Sequence, residues 1–363
     1  MKILFVLEHF HPYVGGAEKL FYTLSIALAR EGYEITIITT LFDQKLPKEE
    51  IHKGLKIIRI NCSNRFAFTA LSLPKVIKYA KEVDLIHTTT YNAALPAAIA
   101  GKLLRKPVFV TFHEVWGKLW KELPFTSFFE RNAFYAFEKM LLKLPFSKFI
   151  AVSEFTKSEL IKNGIPHSKI EMIYNGIHYD SFKNMQPSPP DIFTFTYFGR
   201  LGISKGLDLL IPAAAEFRKS FPETKFRLII PKYPEALFQE IMNLIKQYNL
   251  QDYIEFHHNL PRAELYQQLL SSSCIVIPSY SEGFCFAATE TVALKIPIIS
   301  SQQGALIETV SGKSISMKEM TITGLTQALE NAHHQNWTEI PIRYFHLNDS
   351  VEAYMKCYQN TRL

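Results

Sequence analysis

Two carboxylates, Glu282 and Glu290, stand seven residues apart around the run Gly283-Phe284-Cys285-Phe286-Ala287-Ala288. An apolar stretch ending at Pro278 reads as a buried strand, and small residues from about Phe286 to Leu294 read as a helix. The backbone N–H groups that open such a helix have no partner within it, so they suit a phosphate or a sugar hydroxyl. Glu282, in the loop, is placed to accept hydrogen bonds from sugar hydroxyls. Glu290, about two helical turns from it, is placed to hold a ribose diol. A plainer reading makes Glu282 a partner of the helix dipole and Glu290 a solvated helix residue. Against it, Glu290 lies among Ala287, Ala288, Val292, Ala293 and Leu294, where an unpaired carboxylate is costly.

Phe198-Gly199-Arg200-Leu201 followed by Lys205-Gly206 brings two cations to the end of a strand and the start of a helix. Arg200 as a planar fork and Lys205 as a point charge suit a diphosphate leaving group, although alone they also fit a pair of solvated cations. Gly15-Gly16-Ala17-Glu18 after the first strand is a weaker signal, because it lacks the GxGxxG spacing and a flexible turn explains it equally. His113-Glu114 follows the strand Val108–Phe112, where an imidazole can bind a sugar hydroxyl; with 12 histidines in the chain, a structural role starts ahead. Residues 116–149 are rich in aromatics and cations, including Trp116, Lys118, Trp120 and Lys121. Ser127 and Glu130 form a capping-box pattern there, and Phe129, Ala133, Phe137, Met140 and Leu144 make one apolar stripe read as core. The remaining aromatics, interleaved with lysines, fit membrane contact and ordinary packing equally.

These residues need a frame that gathers strand ends. Short β-rich runs alternate with helical patterns from Lys2 to about residue 174, which implies a parallel sheet covered on both faces. A turn at Asn175-Gly176 and the run Pro187-Ser188-Pro189-Pro190 mark a linker, and the alternation then restarts. The expected division is a first α/β domain over 1–174 and a second over 175–344, with a final helix within 345–363 crossing back to the first. At 363 residues and 20% charged, the chain has the size and composition of two soluble domains. The apolar N-terminus breaks at Glu8 and His9 with no small-residue cleavage site, so it reads as a first strand. Scattered Cys62, Cys274, Cys285 and Cys357 form no CxxC pair, which points to a reducing, cytoplasmic compartment. The net charge of +6 is uneven: residues 1–174 hold 24 Lys+Arg against 16 Asp+Glu, the rest 16 against 18. A basic first half suits an anionic partner, and the clustering of its aromatics among apolar neighbours argues against nucleic acid.

Taken together, these motifs resemble the retaining GT-B glycosyltransferases of family 4, also called group 1. Glu282 and Glu290 match that family's paired glutamates, Gly199-Arg200 with Lys205-Gly206 its diphosphate-binding loop, and Gly15-Gly16 its first-domain glycine loop. Val152-Ser153-Glu154, Asn175-Gly176-Ile177 and Asp180 match the segments before its second domain. The resemblance implies two Rossmann-like doubly wound domains facing across a cleft, the donor held mainly by the second and the acceptor by the first. It implies transfer with retention from a UDP-, GDP- or ADP-sugar to a saccharide, polysaccharide or lipid-linked acceptor, as in bacterial-type surface glycan synthesis at the inner membrane face. No metal is required on this reading, and the chain holds no DxD. The site residues it implies are Arg200, Lys205, Glu282 and His113 for catalysis; Gly15, Gly16, Gly199, Gly283, Phe284, Cys285, Phe286 and Glu290 for the donor; and Glu18, Trp116, Lys118, Trp120 and Lys121 for acceptor or membrane. Cys285, Lys295, Pro231-Lys232 and His258-Asn259 stand where the family commonly has glycine. Two alternatives stay open: a protein of this fold that only binds a nucleotide or partner, and a nucleotide-sugar epimerase of the same architecture.

Overall fold

The computed structural model describes residues 1–13 and 15–360. They form two compact units, the first built from Met1–Lys118, Asn132–Gly176 and the chain from Phe345 onward, the second from Leu119–Arg131 and Ile177–Tyr344.

Unit 1 begins with β1 (Lys2–Val6), α1 (Gly16–Arg30), β2 (Glu34–Thr40), β3 (Glu49–His52) and β4 (Leu55–Ile60). It continues through α2 (Arg65–Ala80), β5 (Leu85–Thr89), α3 (Ala94–Leu104) and β6 (Val108–Phe112). It ends with most of α4 (Phe128–Leu142), then β7 (Lys148–Ala151), α5 (Glu154–Lys162) and β8 (Ile170–Met172). Its sheet has the order β3-β4-β2-β1-β5-β6-β7-β8, parallel except for the β3–β4 hairpin. The strands are buried on both faces, which explains their unbroken apolar runs such as Ile3–Val6. The chain winds outward from β1 in one direction and from β5 in the other, so the loops after β1 and β5 part at a switch point.

Unit 2 repeats the plan with β9 (Thr194–Phe198), α6 (Leu207–Ser220), β10 (Lys225–Ile229), α7 (Glu235–Gln247) and β11 (Ile254–His257). There follow α8 (Arg262–Leu270), β12 (Cys274–Ile277), α9 (Phe286–Ala293), β13 (Ile298–Ser300), α10 (Leu306–Thr309), β14 (Gly312–Ser316), α11 (Ile322–His333) and β15 (Thr338–Ile340). The strand order is β11-β10-β9-β12-β13-β14-β15, antiparallel only at β15. The switch point lies between β9 and β12. Phe195 and Phe226, opposite each other on β9 and β10, stack at 4.8 Å and pack with Phe217 of α6 in the core of this unit.

The last helix, α12 (Leu347–Gln359), clusters with unit 1; residues 361–363 of the expected stretch lie outside the described residues. It is anchored by His87, fully buried on β5, whose Nδ1 lies 2.6 Å from the Tyr358 hydroxyl and whose Nε2 lies 2.9 Å from Thr111 Oγ1. Burial pushes this imidazole down to about 3, so it is neutral and shares one donor and one acceptor with its two partners.

Two readings of the sequence change, and one helix is added. The segment Leu119–Arg131, expected in the first domain, clusters with unit 2, where Trp120 and Leu123 are buried and Phe125 packs against the core. The stripe beginning at Phe129 is core only in part: Phe137 and Leu144 pack against the core of unit 1, but Phe129 is 83% exposed, Ala133 and Met140 are also exposed, and α4 buries Glu138, Leu141 and Leu142. The face is set by Glu138, whose carboxylate accepts the backbone N–H groups of Trp116 at 2.9 Å and Gly117 at 2.7 Å. The helix α2 is not assigned from the sequence; it carries Pro74 inside it, and Asn64 caps it by accepting from Phe66 and Ala67. The capping box holds: Ser127 N–H donates to Glu130 at 2.8 Å, and Glu130 N–H donates to Ser127 Oγ at 3.3 Å.

The His87 contact makes a test of α12. Tyr358→Phe leaves a buried ring nitrogen without its partner, a cost of about 1–3 kcal/mol. Hydrogen exchange of the α12 amides should quicken by roughly fivefold to a hundredfold on that basis, with α6 unchanged. Unaltered exchange in α12 would show that the contact does not hold the helix.

Candidate active site

The carboxyl ends of β9 and β12 lie side by side, since Cys274 and Ile275 pair with Phe195 and Thr196. Two loops leave these ends and are fastened together. Gly206 has φ +69 and sits so close to the second loop that a Cβ there would lie 2.0 Å from the Pro278 carbonyl oxygen, which only glycine tolerates. Tyr280 N–H donates to the Ser204 carbonyl at 2.8 Å, and Tyr280 hydroxyl donates to Asp208 Oδ2 at 2.7 Å. Between these clasps, Lys205 Nζ meets Glu282 Oε1 at 2.8 Å.

Glu282 is fixed on every side. Ser279 Oγ donates to the same Oε1 at 2.7 Å, and the Glu282 carbonyl accepts from Ala305 N–H at 2.7 Å. Gly304, at φ +64, brings its backbone against Glu282 so tightly that a Cβ would fall 2.4 Å from that carbonyl. Arg200 is exposed at the end of β9. Beneath it lies Tyr197, whose phenol burial pushes well above its usual range, with Lys205, Glu282, Cys285 and Arg200 all near enough to act on its charge. Arg200, Lys205, Glu282 and Cys285 are thus all within electrostatic reach of one buried phenol, which also donates to the Arg200 carbonyl at 3.4 Å.

α9 starts at Phe286, and its N-cap residue Cys285 offers no side-chain cap. Cys285 has φ +67, Lys295 +59 and Asn259 +51. These three positions keep the left-handed backbone that glycine favours, at about 1 kcal/mol each for a residue with a Cβ. Glu290 is buried within α9 and paired: Arg262 Nη2 donates to its Oε1 at 3.2 Å, while Arg262 Nε donates to the Tyr266 hydroxyl at 2.6 Å. Burial, reinforced by Glu290, pushes the Tyr266 phenol up to about 12. Gly283 and Phe284 are buried in the same loop, and Phe284 packs edge-on to Phe286 at 5.3 Å.

Unit 1 also gathers polar groups at its switch point. Glu8, just past β1, accepts from Asn92 Nδ2 at 2.9 Å and pairs with Arg65 Nε at 3.0 Å, with His9 Nε2 at 3.6 Å. His113 follows β6 and meets the Phe21 ring edge-on at 6.1 Å, and its charge acts on His87. Glu18, in the first turn of α1, is buried and its Oε2 has no hydrogen-bond partner. Gly15 has an extended backbone, φ −177, that any residue adopts, so conformation does not demand glycine there; Gly16 begins α1. Trp116 Nε1 donates to Glu114 Oε2 at 2.8 Å, Lys118 and Lys121 are exposed, and Trp120 is buried in unit 2. Among the described residues no three His, Cys, Asp or Glu side chains gather as a metal-ligand set.

Arg262, Tyr280, Asp208, Glu8, Arg65 and Asn92 were given no site role from the sequence. Only the burial of Glu290 among apolar neighbours signalled that a cation such as Arg262 was required.

The family model for Glycosyltransferase Family 4 matches residues 14–181, and that for Glycosyl transferases group 1 matches residues 180–336. A phosphatidylinositol N-acetylglucosaminyltransferase subunit of Arabidopsis thaliana is 23% identical, over 92% of this chain and 74% of its own length. A GDP-mannose:cellobiosyl-diphosphopolyprenol alpha-mannosyltransferase of Xanthomonas campestris is 26% identical, over 83% of this chain and 78% of its own. Among solved structures, sucrose-phosphate synthase of Thermosynechococcus elongatus superposes with a TM-score of 0.82 at 20% identity, covering 99% of both chains. Anabaena HepE in complex with UDP-glucose superposes with a TM-score of 0.71 at 19% identity, over 99% of this chain and all of that one. With both halves matched and both sheets wound as found, the chain belongs to the family 4, or group 1, glycosyltransferases and has their GT-B fold of two Rossmann-like domains.

Proposed function

We propose that this protein is a retaining glycosyltransferase that moves a sugar from a nucleoside diphosphate donor to a lipid-linked or saccharide acceptor, at the cytoplasmic face of a membrane. The observation that carries the reading is the Lys205–Glu282 pair at the switch point of unit 2, with Arg200 exposed beside it. A diphosphate entering there meets Lys205 already held in place by Glu282, with the exposed Arg200 a few residues away on the same loop, so much of the charge that builds on the leaving phosphate is met by a preset cation. Such a pair of cations takes the part a metal plays elsewhere, and the reading needs no metal. On this reading the donor lies along Gly199 at the end of β9 and Gly283, Phe284, Cys285 and Phe286 at the start of α9, with Glu290, oriented by Arg262, facing the ribose. Nucleotide sugars suit both sorts of relative, since one bears GDP-mannose in its name and another was solved with UDP-glucose.

The acceptor belongs with unit 1 on this reading. The Gly15-Gly16 loop, the buried Glu18 carboxylate with its unpartnered oxygen, and His113 are the groups that meet its hydroxyls or the transferred sugar. The acceptor oxygen bonds to the anomeric carbon on the face from which the phosphate oxygen departs. The acceptor proton passes to that departing phosphate, so no protein nucleophile is invoked. The cellobiosyl-diphosphopolyprenol in the name of the Xanthomonas relative supports a lipid-linked acceptor. The glycine-like backbone at Cys285, Lys295 and Asn259 favours a working site over a silent one, because the loops keep their shape despite the replacements.

Arg200→Ala and Lys205→Ala should each lower donor turnover by roughly a hundredfold, the usual scale for losing one stabiliser of developing charge. Thermal shifts against UDP, GDP and ADP sugars choose the donor for that assay, because a ligand of the native state raises its apparent stability. Undiminished turnover in both variants would refute the assignment, and donor binding without any turnover would leave a nucleotide-binding protein.

Tyr280 fastens the Lys205 loop, and losing its hydroxyl removes a hydrogen bond to a carboxylate worth about 1.5–3 kcal/mol. Tyr280→Phe should therefore depress kcat at least about tenfold, with Asp208→Asn, which retains an acceptor, closer to the parent. Equal losses in Tyr280→Phe and Asp208→Asn would argue that the contact does not position Lys205.

A further inference from the structure

α2 and α3 pack against each other on unit 1, and the faces they turn inward are ordinary core: Phe68, Val76 and Tyr79 on one, Ala97 and Ala100 on the other. Their outward faces are less ordinary. Phe66 is 67% exposed, Leu71 52%, Ile99 40% and Leu103 63%. Single exposed apolar residues mean little, but four on two neighbouring helices form a surface that calls for a partner. Exposed Lys78, Lys102 and Arg105 stand among them.

The charge of this region is one-sided. Residues 51–81 contain seven Lys or Arg and residues 85–113 contain three, with no Asp or Glu in either stretch. Glu82 and Asp84 lie between the two stretches, and the acidic partners of α2 come from outside it: Glu8 meets Arg65 at 3.0 Å and Glu49 meets Lys75 at 3.5 Å, leaving Lys78, Lys102 and Arg105 without an acidic partner among the described residues. Leucine, isoleucine and phenylalanine at the level of unopposed cations are what an interfacial surface needs, with apolar side chains among acyl chains and ammonium groups at headgroup phosphates. The other exposed aromatic pair, Phe128 and Phe129 in α4, lies beside Glu122 and Glu130 and lacks that one-sided charge. Trp120 is buried, so the Trp116–Lys121 segment does not provide an equivalent surface.

We propose that the α2–α3 face docks unit 1 on an anionic lipid surface through Phe66, Leu71, Ile99 and Leu103, with Lys78, Lys102 and Arg105 contacting the lipid phosphates. This deepens the reading of a lipid-linked acceptor and rests on it for its purpose, since a docked acceptor domain meets substrate at the bilayer. The physical claim itself needs no sugar transfer.

The test sediments the full chain with vesicles of phosphatidylcholine alone and of phosphatidylcholine with phosphatidylglycerol. The protein should sediment with the anionic vesicles only, and added salt should release it. Lys78→Glu with Lys102→Glu should weaken binding at least about tenfold, given the contribution of each cation near such a surface. Leu71→Ser with Leu103→Ser should weaken it by about tenfold through lost apolar burial. Lys225→Glu with Lys246→Glu, exposed positions on unit 2, makes the same change in net charge and should leave binding intact. Equal binding to neutral vesicles overturns the proposal, as does undiminished binding by both α2–α3 variants. Loss on Lys118→Glu with Lys121→Glu alone would move the surface to the segment before α4 and overturn it too. A dimer seen by light scattering that Leu71→Ser with Leu103→Ser abolishes would assign the face to a second copy instead. Donor calorimetry run in parallel separates the claims: absent donor binding with intact vesicle binding removes the transferase reading and leaves the docking face standing.

Discussion

Lys205 and Glu282 are drawn from loops 77 residues apart and meet at 2.8 Å with most of both side chains out of solvent. Such a pair is a poor way to stabilise a protein, because removing two charges from water offsets most of their attraction. The fold nevertheless devotes much of two loops to it. Ser279 holds the same carboxylate oxygen, Ala305 holds the carbonyl, and Gly206 and Gly304 bring backbone into contact where a Cβ would collide. The fastening makes sense if the pair is kept for what a third charge does to it. A diphosphate would complete an arrangement whose electrostatic cost was met on folding.

The position of the pair follows from sheet topology. Winding outward in two directions from β9 and β12 leaves a gap in the loop layer at their carboxyl ends, and it is there that polar side chains escape helix cover. Unit 1 obeys the same rule with different residues. Glu8 leaves β1 and Asn92 follows β5, on the two sides of the corresponding switch point, and both Asn92 and Arg65, at the start of α2, bind the Glu8 carboxylate. One architectural constraint, applied twice, accounts for both polar clusters.

Alternating apolar runs and turn residues made both sheets legible, along with the place of most strands in the chain, because parallel strands buried on both faces leave unbroken signals. Glu282, Glu290, Arg200 and Lys205 were legible as types at strand ends. Their partners were not. Tyr280 with Asp208, Arg262 with Glu290, and Arg65 with Glu8 are separated by 72, 28 and 57 residues, and local pattern carries no information about such pairs. The α4 stripe misled for a related reason. A buried carboxylate, Glu138, satisfies two backbone N–H groups in the loop before the helix, and this requirement outweighs the apolar periodicity that put Phe129 inside.

The replaced glycines show how residue identity and backbone need can part company. At Cys285, Lys295 and Asn259 the chain still turns through the left-handed region, so the loop shape persists while its most permissive residue does not. A left-handed residue with a Cβ is strained, and strain of that kind survives only where the surroundings over-determine the conformation. Around Cys285 they do: Ala288 and Thr289 N–H groups both donate to its carbonyl, and Phe284 is buried immediately before it. The geometry of the α9 N-terminus is therefore imposed by the helix and the packed loop rather than granted by glycine. What the side chain adds is a thiol at the mouth of that helix, within electrostatic reach of Tyr197, where glycine would leave open backbone. On the proposed reading the consequence falls on the size of the group the loop can admit rather than on the loop's shape, and Cys285 would then set how closely a donor approaches the α9 backbone.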